Sequence, residues 1–226
     1  MSIALILRSY QGDFDWLKYS AKSITKYVTG VDEKILITPV GQAPDAETLS
    51  HFDRHIQTVE DCHGYIAQQI DKMTAWQHTD CDHLLYTDSD CIYTRPFDAR
   101  LRITDDGRVV LWRSPWNEVA EWGWFWRDVV ERYTGIRPDW EYMRRQPIMH
   151  RAATVRAMLE HWPQLLRDAV NVTTREFSEF NCMGLFADLY HGEHYHFRQD
   201  APDGPCDQYW SHGGLTPEIR EELERG

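Results

Sequence analysis

Two aspartates one residue apart can hold a hard divalent cation, because their carboxylate oxygens replace part of its water shell. The chain carries three such triplets: Asp13-Phe14-Asp15, Asp80-Cys81-Asp82 and Asp88-Ser89-Asp90. Only the third directly follows an apolar run, His83-Leu84-Leu85-Tyr86-Thr87. That run reads as a buried strand ending in an acidic turn, so Asp88 and Asp90 are expected as a metal site that can in turn hold a diphosphate. The plain alternative is a polar strand end without a ligand. Asp13 is read as the N-cap of a helix, and Asp80 to Asp82 as a turn. Later, Arg175-Glu176-Phe177-Ser178-Glu179-Phe180-Asn181 leads into a helical run, Cys182 to Tyr190. A carboxylate placed just before a helix is stabilised by the helix N-terminus, and it can equally serve as a base. In Trp210-Ser211-His212-Gly213-Gly214 the glycines permit close backbone approach to a ligand. His212 is therefore a better ligand candidate than His191, His194 or His196.

These residues need elements to position them. Ser2 to Leu7 reads as a first buried strand, and Arg8 to Gly12 as a loop. Leu17, Ala21, Ile24 and Val28 share one face of the helix that follows, which Gly30 closes. Further strands are expected at Lys34 to Thr38, His55 to Val59 and Val109 to Trp112. Strand, loop and helix in repetition predict an α/β fold, a mixed but mainly parallel sheet with helices on its faces. Ligands in such sheets sit beyond the carboxyl ends of the strands. The Arg8 loop and the Asp88 turn both lie there and are expected to face one crevice. In the helix Gly64 to His78, Ile66, Ile70 and Met73 form the buried face, while Gln68, Gln69 and Lys72 group on another. That second face is either solvated or brings Lys72 to a phosphate. Val155, Met158 and Leu159 mark a later amphipathic helix, and Thr216 caps an acidic terminal helix that has Pro217 at its first position.

With 226 residues, 42% of them hydrophobic, the chain suits one domain, residues 1–226. Its net charge of −12 excludes a polycation that wraps nucleic acid over its whole surface. The charge is uneven: Arg127 to Arg156 holds seven Arg against Asp128, Glu131, Asp139 and Glu141, a local +3. Five Cys without a C-x-x-C point away from a disulfide framework or zinc site and toward a reducing cytoplasm. The first apolar run, Ile3 to Leu7, is too short for a signal peptide, and no run is long enough to span a membrane.

The strand ending in Asp88-Ser89-Asp90, the preceding Gln68-Gln69-x-x-Lys72 helix, the late Ser178-Glu179-Phe180 and the terminal Trp210-Ser211-His212-Gly213-Gly214 together resemble the GT-A fold glycosyltransferases. Small bacterial and phage-encoded members of that superfamily are the nearest likeness. The resemblance implies a Rossmann-like sheet and a nucleotide-diphosphate sugar donor, with UDP favoured. It also implies Mn²⁺ or Mg²⁺ held by Asp90 and His212, with Asp88 near the metal or the ribose. Arg8, Ser9 and Tyr10 would hold base and ribose, and Gln69, Lys72 and Ser89 would complete the donor site. Residues 1–112 would form the nucleotide-sugar half and 113–226 the acceptor and catalytic half. The implied base is Glu179, with Glu176 as the fallback, because Phe180 stands where the family usually places a second acid. The reaction would invert the anomeric centre.

For the acceptor, Arg144, Arg145 and Arg151 offer phosphate contacts, and Trp124 and Trp126 offer stacking surfaces. Four large rings within residues 122–126 are too many for one buried face. A hydroxymethylated pyrimidine in phage DNA, flipped out of the duplex, is the leading expectation; a glycan or small sugar is the rival. A nucleotidyltransferase would show a Gly-rich phosphate loop after the first strand, and Arg8 to Gly12 holds one glycine. An inactive nucleotide-sugar-binding module would not need Asp88, Asp90 and Glu179 together.

Overall fold

A computed structural model describes the chain except residues 60–61, 121–122, 144–145, 170–176, 201–203 and 226, and except the side chain of His212. Five strands form the main sheet: β1 (Ile3–Arg8), β2 (Glu33–Pro39), β3 (Arg54–Thr58), β4 (His83–Asp88) and, after the short strands β5 (Cys91–Tyr93) and β6 (Val109–Trp112), β7 (Ile148–Arg151). Their order across the sheet is β7-β4-β1-β2-β3. β1 is buried along its whole length, as a central parallel strand covered on both faces must be, which explains its unbroken apolar run. β1 pairs in parallel with both β2 and β4, while β7 runs antiparallel to β4. The expected mixed, mainly parallel sheet is therefore observed. β7 comes from the second half of the chain, so residues 1–112 and 113–226 share one sheet.

Topology fixes where a ligand can go. The chain passes from β1 through α1 (Phe14–Tyr27) to β2 on one side, then from β3 through α2 (Gly64–Thr74) back across to β4 on the other. The strand order thus reverses between β1 and β4, and their carboxyl ends open a crevice. The register sets Arg8 directly beside Asp88 at that opening. α2, α4 (Ala152–His161) and α5 (Glu179–Tyr190) pack on one another, whereas α3 (Phe125–Thr134) carries the aromatic segment.

Several boundaries differ from expectation. α1 stops at Tyr27, since Val28 turns extended to begin a two-residue pairing, so Gly30 does not close the helix. Its buried face is also wider: besides Leu17, Ala21 and Ile24 it takes in Trp16, Ser20 and Ser23. The two serines are buried because they serve β5. Ser20 Oγ donates to the Cys91 carbonyl at 2.9 Å, and the Tyr93 N–H donates to Ser23 Oγ at 3.0 Å. The helix expected to reach His78 tightens into a 3₁₀ turn over Ala75–His78. Of its polar face Gln69 and Lys72 are buried, with Asp71, Ile66 and Met73, while Gln68 and Ile70 are only partly covered.

Two further strands, β8 (Tyr195–Arg198) and β9 (Cys206–Gln208), pair with β6 and β5, and the terminal helix α6 (Pro217–Arg225) follows. Tyr209 joins that tail to α1: its ring lies 5.4 Å from Trp16, and its hydroxyl meets Glu222 at 3.2 Å. Among the described residues no helix is long and apolar enough to cross a membrane, and all five cysteines are free thiols.

Candidate metal and transfer site

The site is a line of buried side chains from α5 to the end of β4. Glu179 is the first residue of α5, and its backbone N–H donates to Gln69 Oε1 at 3.0 Å. Lys72 Nζ donates to Glu179 Oε1 at 3.0 Å and to Asp88 Oδ1 at 2.7 Å. Gln146 Nε2 donates to the other Asp88 oxygen, Oδ2, at 3.2 Å. Burial would lower the Lys72 ammonium, but the carboxylates of Asp88 and Glu179 overcome it and hold the group above its ordinary range. Phe180 lies beneath, with its ring 4.7 Å from Lys72 Nζ and packed edge-on against Tyr86. Phe180 thus supplies a π face to the cation. Lys72 is held between two carboxylates and is 4% exposed, so it is not poised at the surface for a phosphate.

Asp90 lies two residues beyond Asp88 and is fixed from the C-terminal segment. β9 pairs antiparallel with β5, and the pairing continues as the Tyr209 N–H donates to the Asp90 carbonyl at 3.0 Å. Trp210 then adopts a left-handed backbone, φ 55°, a strained conformation for a large side chain. That turn brings the Ser211 N–H to Asp90 Oδ2 at 2.8 Å. Burial, then the charge of Asp88, push the Asp90 carboxyl up to about 6, against the Ser211 N–H that favours its ionised form.

Asp13 was read as a helix cap, yet its side chain makes no capping hydrogen bond. It turns toward the acidic turn, where Ser89 Oγ and Ser211 Oγ each meet Asp13 Oδ2 at 3.4 Å. Burial raises its carboxyl above the usual range. Asp13, Gln146 and Ser211 are therefore members of the site that sequence patterning missed. The Asp13-Phe14-Asp15 triplet was a signal, but a cap was the commoner reading. Gln146 carries no local signal; it lies just before β7 and meets Asp88 from there.

Oxygen and sulfur atoms of Asp88, Asp90 and Cys91 lie within 4.8 Å of one another. Contact with the Cys206 thiol and then burial push the Cys91 thiol far up, so it remains protonated. It points at Asp90 Oδ1 at 4.0 Å as a weak donor, not a thiolate ligand. What is left is a set of hard carboxylate oxygens that could hold a divalent cation.

Of the other expected residues, some lie at this site and some away from it. Arg8 is buried and donates to Asp71 Oδ2 at 3.2 Å, and Ser9 is buried beside it. Tyr10 is exposed and folds over Gly12, where a Cβ would sit 2.5 Å from the ring. Ser89 is buried against Asp13. His212 belongs to the turn Ser211–Gly213, directly after the residue that binds Asp90. Trp124 is 48% exposed, but Trp126 is buried with Trp116 and Val119, so it offers no open stacking face. Arg151 pairs with His83 at the start of β4. It is five residues from Asp88 along the strand, roughly 16 Å at about 3.3 Å per residue. Glu176, Arg144, Arg145 and Trp122 lie outside the described residues.

No protein-family model matches the chain, and no curated protein matches it. Fold and site define a mixed α/β protein whose mainly parallel sheet carries a candidate hard-metal cluster at its switch point.

Proposed function

We propose that the chain is a GT-A type, metal-dependent glycosyltransferase, moving a sugar from a nucleotide-diphosphate sugar, with UDP favoured, to an acceptor hydroxyl with inversion. One observation carries this reading: a candidate base, Glu179, and Asp88 of a hard-cation cluster with Asp90 are joined through the buried ammonium of Lys72. Asp88 and Asp90 would hold the divalent cation, with the Asp13 carboxylate beside them. When bound, that cation supplies positive charge to the departing diphosphate. Glu179 takes the proton of the acceptor hydroxyl as that oxygen forms its bond to the anomeric carbon and the bond to the diphosphate breaks. Lys72 and the α5 N-terminus balance the Glu179 charge before the proton arrives.

A hydroxymethylated pyrimidine in DNA is the acceptor we propose first, on the basic segment from Arg127 to Arg156. The net charge of −12 and the burial of Trp126 favour a saccharide as the rival. Incubation with UDP-glucose and Mn²⁺, offering hydroxymethylcytosine DNA and simple sugars in parallel, tests both. Transfer to either supports the reading and names the acceptor; no transfer and no release of UDP from any sugar nucleotide counts against it.

A further inference from the structure

Gln146 is 9% exposed, and its side-chain oxygen Oε1 is fully buried without a hydrogen-bond partner in the protein. The antiparallel pairing of β7 with β4 ends with Ile148 opposite Tyr86, and Gln146 lies just before it with its side chain on Asp88. The amide orientation follows from chemistry. The carboxylate of Asp88 can only accept, so it takes the Nε2–H at 3.2 Å and turns the amide oxygen away from itself. Asp88 thereby fixes the amide and leaves a buried acceptor within a few ångströms of the candidate metal ligands. Buried polar atoms in folded proteins almost always have partners, and an acceptor at such a site calls for a hydrogen-bond donor from the ligand.

We propose that Gln146 Oε1 accepts a hydrogen bond from one hydroxyl of the transferred sugar and so sets which sugar the enzyme takes. This rests on the donor reading above. The network Glu179–Lys72–Asp88–Gln146 spans the site, with the base at one end and Gln146 at the other. A sugar on the diphosphate beside Asp88 would present its ring hydroxyls to this region. The cation is a poorer fit as the partner, since the donor face of the same amide is turned toward Asp88. A site built to bind a substrate hydroxyl discriminates strongly against the analogue lacking it, because its own buried polar atom is then left without a partner.

The test is a cycle between protein and ligand that cancels any indirect effect on Asp88. Affinities of UDP-glucose and its 2-, 3-, 4- and 6-deoxy analogues are measured with Mn²⁺ on the full chain, wild type and Gln146→Met. GDP-mannose and its deoxy analogues replace them if GDP is the nucleotide that binds. Wild type should lose about 5- to 100-fold in affinity for one deoxy analogue. Gln146→Met should bind the parent and that analogue alike. If every analogue loses the same factor in both proteins, the proposal is overturned although the donor reading stands. If wild type binds neither UDP nor GDP with Mn²⁺, the donor reading has failed and this proposal with it. Gln146→Leu repeats the cycle should the methionine variant not fold.

Discussion

Lys72 and Glu179, 107 residues apart in sequence, meet at 3.0 Å in the interior, and the same ammonium reaches Asp88. A lysine 4% exposed is tolerated only because two carboxylates surround it. Its neighbours depend on it equally. Lys72→Met should therefore destabilise the protein by about 3–5 kcal/mol, leaving buried carboxylates without their cation. Urea unfolding measures this; a loss below about 1 kcal/mol, the level of a surface pair, contradicts the arrangement.

Asp90 should show the opposite balance. Its folded carboxyl, pushed up to about 6 chiefly by burial and Asp88, holds a proton that the unfolded chain releases near its ordinary value of 3.8. The native state binds more protons in that window, so this residue's contribution is fully present below it and is lost as pH rises through about 6. Asp90→Asn should thus stabilise the metal-free protein at neutral pH by at most about 3 kcal/mol. Melting curves at pH 7 and pH 4 check the sign: the gain should shrink toward zero at the lower pH. A variant less stable at pH 7 would mean that the carboxylate is satisfied without a ligand.

His150 titrates the other way. Burial holds its imidazole down to about 3, between the rings of Tyr86 and Tyr195. The unfolded chain takes up that proton below about 6.5, so stability is complete above this pH and falls as pH drops. By pH 5 this residue alone should remove about 2 kcal/mol. His150→Phe should flatten the fall between pH 7 and pH 5 by that amount. An unchanged slope would show that the ring is protonated in the native state.

Glu179→Gln separates binding from chemistry. The amide keeps an oxygen for Lys72 but cannot take a proton, so donor binding should persist while transfer drops by about 10²–10⁴-fold. Single-turnover kinetics beside nucleotide affinity read both. Activity within about tenfold of wild type would move the base to another residue, with Glu176 next to be tested.

Much of this frame was legible in the residues. The apolar run into Asp88 marked a buried strand, and the alternation of strand and helix marked the parallel sheet, because burial on two faces writes itself into composition. Long-range pairing was not legible. Asp13 looked like a cap because caps and ligands use the same residue. Gln146, just before β7, meets Asp88 across 58 residues of sequence. Ser20 and Ser23 stand outside the apolar pattern of α1, yet they are buried and satisfy backbone groups of β5. Trp126 and Arg151 had suitable chemistry, but packing buries one and the sheet carries the other to its far end. A pattern along the chain reports which residue types are present; which of them converge is decided by strands far apart in sequence.

The most direct measurement is calorimetric binding of UDP and GDP, each with and without Mn²⁺, to wild type and Asp90→Asn. The proposed function requires one nucleotide to bind wild type only when Mn²⁺ is present, and that binding to vanish in Asp90→Asn. Binding that ignores Mn²⁺ and survives the substitution, or no binding of either nucleotide under any condition, would contradict a metal-held diphosphate at Asp88 and Asp90.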